Sequence, residues 1–331
     1  MKRMFALLTA LCLALLCLAP ALAEEAPEKT GVTMRVASLK GPTTMGLVKL
    51  MQDAEAGLTA NDYTFAMEGT ADAISPLLIQ GELDAAMIPC NLAAVLIGRT
   101  EGALEIAAIN TLGVLYVLEN GDTIQSVGDL RGKTIFSTGQ GTTPEYALDY
   151  VLSKNGIDPD ADVTVEFRSE STEVASAMLN DAASIAVLPQ PFVTSVLMQN
   201  ENVRVALSLT DEWDKVGDGS AMITGVCVVR KAFAEEHPEA VNAFLEEYAA
   251  STEYVNANPA EAAEWIAELE IVGNAAIAEA AIPACNIVCI TGEEMITKAS
   301  GYIDALYEQN PEAVGGQMAN ETYFYIAESE G

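Results

Sequence analysis

The sequence predicts an α/β protein of two lobes joined by two crossing segments. Three observations carry that prediction. Candidate strands and helices alternate along the chain, with glycine turns between them. Two motifs recur in order at nearly one spacing: Thr43 and Thr44 return as Thr142 and Thr143 on adding 99, and DAAMIPCNLAAVL from Asp84 is echoed by SIAVLPQPFVTSVL from Ser184, which sets Pro189 100 residues after Pro89. Two long apolar stretches, Ile106 to Leu118 and Met222 to Val229, stand where strands would pass between the lobes. A single shared turn would mean little, because α/β proteins repeat such turns anyway. Two turns with matching offsets point to pseudo-symmetric lobes, and the period is far longer than that of a solenoid repeat.

Taken in order, Lys2 and Arg3 precede an apolar run from Met4 to Leu18, Pro20 breaks it, and Ala21-Leu22-Ala23 offers small residues for cleavage. This is the pattern of a secretory signal over residues 1–23, removed near Ala23. The run is shorter than the roughly 20 apolar residues a spanning helix needs. Cys12 and Cys17 each follow a leucine, where bacterial lipoprotein signals usually carry a small residue, so a lipid anchor is the lesser alternative. The protein is expected outside the cytoplasm, periplasmic or at the cell surface.

Beyond a short acidic linker, Thr33 to Leu39 reads as a strand and Thr43 to Ala56 as a helix, with apolar residues at Met45, Leu47, Val48, Leu50 and Met51. Tyr63 to Met67 is a second strand, Ala71 to Gln80 a helix, and Ala85 to Ile88 a short buried strand ending at Pro89, with Asn91 placed to cap a helix through Leu96. Helices are expected over Ala240 to Val255, following Pro238, and over Pro259 to Leu269, following Asn258. The first lobe is then discontinuous, residues 32–114 with 226–331. The second spans 115–225, with hinge crossings near 115–119 and 219–225.

Composition narrows the function. Of 331 residues, half are apolar and 19% charged, enough for a large core. Without the signal, 14 basic residues face 48 acidic ones, a formal charge of −34, which repels nucleic acid and anionic lipid. Cys90, Cys227, Cys285 and Cys289 allow three full pairings, and spacing does not choose among them. A domain of this size does not depend on bridges, so buried free thiols are expected. The one histidine, His237 in EEHPEA, reads as the start of a surface helix; no metal site is expected. GQGTTP has Pro144 where a dinucleotide fingerprint needs its third glycine, and GKT at 132–134 lacks the upstream glycine of a phosphate loop. Catalytic serine and zinc-protease motifs are missing as well, so no cofactor or catalytic residue is assigned.

The duplicated turns suit binding. The first N–H groups of a helix lack partners inside it and carry partial positive charge, so such an end accepts anions or polar oxygens. Glycines 41, 139 and 141 allow close backbone approach, and the hydroxyls of Thr43, Thr44, Thr142 and Thr143 can donate or accept. Plain helix capping is the alternative for each turn. Two lobes with matching polar turns beyond their strand ends would grip one solute in a shared cleft. Thr142-Thr143-Pro144-Glu145 fits a capping box whose acid disfavours an anion, so an anionic end of the ligand would point to the first lobe. Asn91 and Gln190 follow the two strand-end prolines and suit a neutral or zwitterionic solute, with helix capping an equal alternative for Asn91.

VASLKGPTTMGLVKLM, ELDAAMIP, FSTGQGTTPEYALDYVL, VLPQPFV and VVRKAFAEEHPEAVNAFLEEY, in that order, resemble the solute-binding proteins of ABC importers. The branch is that for nitrate, sulfonates, taurine and thiamine-precursor pyrimidines. The resemblance implies a type II periplasmic-binding fold, each lobe a mixed sheet flanked by helices, closing on a small-molecule solute and docking on a permease whose ATPase is a separate chain. It places Thr43, Thr44, Pro89, Cys90, Asn91, Gln140, Thr142 and Thr143 in the cleft, with Gln190 from the P-x-P turn and Asn286 from PACNIV. The aromatic clamp of the pyrimidine binders is missing, and no arginine sits in the four turns. The implied protein is a monomer and no enzyme. A pyrimidine-precursor synthase on the same fold and a ligand-sensing module are the competing readings.

Overall fold

In a computed structural model, residues 27–180, 182–217 and 219–327 are described; the signal segment expected over 1–23 lies outside them. The short inner strands Ala85–Pro89 and Ile185–Pro189 are continuous apolar runs, as strands covered on both faces must be. The chain opens with β1 (Thr33–Leu39), α1 (Pro42–Met45), α2 (Val48–Glu55), β2 (Asp62–Glu68), α3 (Ala71–Gln80), β3 (Ala85–Pro89), α4 (Cys90–Arg99) and β4 (Leu104–Leu112). It then crosses into β5 (Leu115–Asn120), β6 (Thr134–Thr138), α5 (Thr143–Lys154), β7 (Thr164–Arg168), α6 (Ser171–Leu179), β8 (Ile185–Pro189), α7 (Phe192–Gln199), β9 (Val203–Ser208) and α8 (Leu209–Asp214). The return comprises β10 (Ile223–Arg230), α9 (Lys231–Glu236), α10 (Pro238–Ala257), α11 (Pro259–Glu268), α12 (Ala275–Ala281), β11 (Ile287–Ile290) and α13 (Gly292–Gln309).

Two mixed sheets result, β11-β4-β10-β3-β1-β2 and β7-β6-β8-β5-β9. Their wiring matches. β1 lies parallel to both β2 and β3, and β10 runs antiparallel between β3 and β4. In the second sheet β6 lies parallel to β7 and β8, and β5 runs antiparallel between β8 and β9. β6, β7 and β8 begin at residues 134, 164 and 185, each about 100 residues after β1, β2 and β3 at 33, 62 and 85. The apolar stretch from Ile106 to Leu118 is two strands in different sheets, parted at Gly113-Val114.

The helix expected over Thr43 to Ala56 is broken. α1 stops at Met45 and α2 starts at Val48. The cause is α10: the Ser251 hydroxyl donates to the Gly46 carbonyl at 2.6 Å and accepts from the Leu50 N–H at 2.9 Å, standing where the helix would join those two groups directly. Glycine permits that approach, since a Cβ at Gly46 would come within 2.8 Å of the Tyr248 hydroxyl.

Candidate functional site

At the carboxyl end of β1 the two threonine hydroxyls turn back on their own strand. Thr43 donates to the Leu39 carbonyl at 2.8 Å, and Thr44 contacts both that carbonyl and the Ser38 hydroxyl, the latter at 2.8 Å. A hydroxyl has one proton and a carbonyl has none, so Thr44 donates to Leu39 and receives from Ser38. Both threonines are buried. Their protons are spent, and toward any further group Thr43 is an acceptor. With α1 only four residues long, the dipole and the free hydroxyl protons that would have held an anionic end at this turn are both reduced.

At the end of β3, α4 begins at Cys90 with Pro89 before it, so Asn91 sits inside the first turn and does not cap the helix as expected. Its Oδ1 instead accepts from the Thr143 hydroxyl at 3.3 Å, joining the strand-end turn of one sheet to the glycine turn of the other. Cys90 is fully buried, and burial alone pushes its thiol far up, so it stays protonated. The buried Tyr302 hydroxyl of α13 has no hydrogen bond of ordinary geometry among the described residues, although Thr143 lies close enough to act on its ionisation.

The turn from Gly139 to Thr143 divides its side chains. Thr143 is buried, whereas Gln140 and Thr142 are exposed, and the Thr142 hydroxyl donates to Gly139 within its own loop at 2.7 Å. The expected capping box does not form: the Glu145 carboxylate takes the N–H of Gly141, and no side chain caps α5 at Thr142. Gln190 is buried with its Oε1 held by the hydroxyl and N–H of Thr194, at 2.8 and 3.3 Å, which satisfies the start of α7. Its own N–H bonds the Val114 carbonyl at 3.0 Å. Asn286 has a left-handed backbone, φ 45°, which asparagine tolerates. Its amide donates to the Gly113 carbonyl at 2.5 Å.

Gln190 and Asn286 therefore clasp the crossing at Gly113-Val114 from opposite sheets. Sequence reasoning missed Asn110. Its amide nitrogen donates to the Thr43 carbonyl at 3.2 Å from full burial in β4. The signal was available, for Asn110-Thr111 is the polar interruption in the apolar run from Ile106 to Leu118. None of the ten expected site residues lines either described cavity; the larger, about 1060 Å³, lies between α10 and the chain near Tyr325. Of the repeated turns, Asn91 and Thr143 instead touch each other. All four cysteines outside the signal are free; Cys289 alone is only half-buried. Burial pushes Cys285 and Cys289 up to about 12. His237 is the N-cap residue of α10, at the start of a helix as expected, and packs against Phe233 of α9.

Comparison with known proteins supports the resemblance read from the motif order. The family model described as NMT1/THI5 like matches residues 102–262. No curated protein matches the sequence. Among solved structures, an ABC transporter from Parabacteroides distasonis is 21% identical, with a TM-score of 0.76 over 89% of this chain and 99% of that one. The periplasmic aliphatic sulphonate binding protein SsuA from Escherichia coli is 14% identical, with a TM-score of 0.72 over 89% and 92%. The periplasmic nitrate-binding protein NrtA from Synechocystis PCC 6803 is 12% identical, with a TM-score of 0.58 over 87% and 83%. The fold is the two-lobed α/β fold of these periplasmic binding proteins. Among the described residues, no helix is long and apolar enough to cross a membrane.

Proposed function

We propose that this chain, NMT1/THI5-like over residues 102–262, is the exported solute-binding protein of an ABC importer. It captures a small organic solute between its lobes and delivers it to a permease and ATPase in separate chains. The lobes are residues 32–114 with 226–331, and 115–225. The observation that carries this reading is the bond from Thr143 to Asn91, because it brings together the strand-end turns of two like-wired sheets. Ligands of open α/β sheets bind beyond the carboxyl ends of the strands, and domain interfaces are preferred sites. Thr43, Thr44, Pro89, Cys90, Asn91, Thr143, Gln190 and Asn286 are its candidate site residues. Gln140 and Thr142 would join only from the exposed rim.

A non-enzymatic role agrees with the inventory of reactive groups. Cys90 is a buried thiol held protonated, and His237 stands outside the turns. A thermal-shift screen of sulfonates, carboxylates, amino acids and pyrimidines tests the reading. A ligand at about 100 times its dissociation constant adds roughly 2.7 kcal/mol to native stability, well within detection. A clear shift with one class is expected, and silence across all four would overturn the proposal.

A further inference from the structure

Asn110 combines three features that ordinary packing does not require. The first is its place in a β-bulge: Val226 pairs with Ile109 and Gly225 with Thr111, leaving Asn110 the extra residue of β4. Bulges re-aim a side chain, and this one turns Asn110 toward the Thr43 turn. The second is an amide of fixed orientation. Nδ2 donates to the Thr43 carbonyl, so the reverse setting would oppose two oxygens. The third is the consequence for Oδ1, which is buried and has no hydrogen-bond partner among the described residues. Gly225 leaves this oxygen its room, since a Cβ there would fall 2.4 Å from Oδ1 and 2.6 Å from the Thr43 methyl.

An orphaned buried carbonyl oxygen is costly unless something donates to it. The neighbouring groups do not. The Thr43 hydroxyl has given its proton to Leu39 and offers only lone pairs, and Lys40, beside the same turn, is exposed. Resting on the solute-binding reading above, we propose that Asn110 Oδ1 accepts a hydrogen bond from an N–H group of the solute, which is therefore an amino- or amide-bearing compound and not one with acceptors alone. The first lobe then recognises the nitrogen end of the ligand. The acidity of the chain, 48 acidic against 16 basic residues, favours the approach of such a group when it is an ammonium.

Matched pairs that differ by one amino group test this: taurine against ethanesulfonate, β-alanine against propionate, and 4-aminopyrimidine against pyrimidine, each titrated calorimetrically into the full chain. In whichever pair binds, the amino member is expected to bind at least about tenfold more tightly, because a site built around an N–H rejects the analogue lacking it. Asn110→Leu should remove that preference. Equal affinities within the binding pair would mean that solvent or the Gly225 Cα–H meets Oδ1, and would overturn the inference while leaving solute binding intact. Absence of binding by all six compounds, together with silence in the wider screen, would overturn the solute-binding reading itself. Should the variant fail to fold, the wild-type pairs still decide.

Discussion

Asp149 on α5 shows how a single half-buried carboxyl couples this protein to pH. Burial, then the charges of Glu145 and Asp160, push it up to about 6. The folded chain therefore binds its proton more tightly than the unfolded chain does, and the native state is the more protonated between about pH 4 and 6. This group's contribution to stability must then fall as pH rises through that window. Asp149→Asn is expected to stabilise the protein at pH 7 by on the order of 1 kcal/mol, allowing for partial exposure, with no gain near pH 4. Urea midpoints at the two pH values check both halves. Asp84 behaves oppositely: burial raises it, yet hydrogen bonds from Arg35 and Arg230 outweigh that and hold it below the usual carboxylate range. At this scale the sequence was a partial guide. Residue types that bind were visible in the turns, but which of their donors and acceptors remained free was settled by partners such as the Leu39 carbonyl, which accepts from Thr43, and the Thr194 hydroxyl, which donates to Gln190.

Among the elements, the break between α1 and α2 sets local propensity against packing. Gly46 has a right-handed helical backbone, so Gly46→Ala gains about 1 kcal/mol of helix propensity. The added Cβ, however, would lie 2.8 Å from the Tyr248 hydroxyl, 3.0 Å from the Ile287 Cγ2 and 3.1 Å from the Thr252 Oγ1. Overpacking of that kind costs about 1–3 kcal/mol. Net destabilisation is expected, with partial recovery in the Gly46→Ala, Tyr248→Phe double variant, read as thermal midpoints. A larger midpoint for Gly46→Ala alone would show that α10 can retreat. Helix periodicity predicted one element here because the pattern through Met45, Leu47 and Leu50 is local. The Ser251 wedge comes from some 200 residues away and leaves no mark on it. By contrast, α3 occupies residues 71–80 as read from the sequence, despite its internal Pro76.

Across the whole molecule, the lobes are tied by an aromatic stack that no turn motif announces. Trp213 of α8 is fully buried, stacks on Tyr150 of α5 with centroids 3.9 Å apart, and meets Tyr302 of α13 at 5.4 Å. Its indole N–H donates to Ser220, just before β10 returns to the first sheet. Trp213→Ala is expected to cost about 3–5 kcal/mol, as large aromatic truncations in a core do. Because the stack spans helices of both sheets, denaturant unfolding should stay a single transition at a lower midpoint. Two separated transitions would show that the lobes are energetically independent.

The amino-acid sequence by itself determined the α/β class, the duplication and the order of motifs, because alternation, glycine turns and a repeat of about 100 residues are properties of neighbouring or evenly spaced residues. Tertiary structure alone decided which strand enters which sheet, that Asn110 is the bulged residue beside Thr43, and that Asn91 meets Thr143. Those outcomes depend on backbone groups and side chains far apart in the chain competing for the same few hydrogen-bonding partners, and that competition is resolved only once the chain is packed.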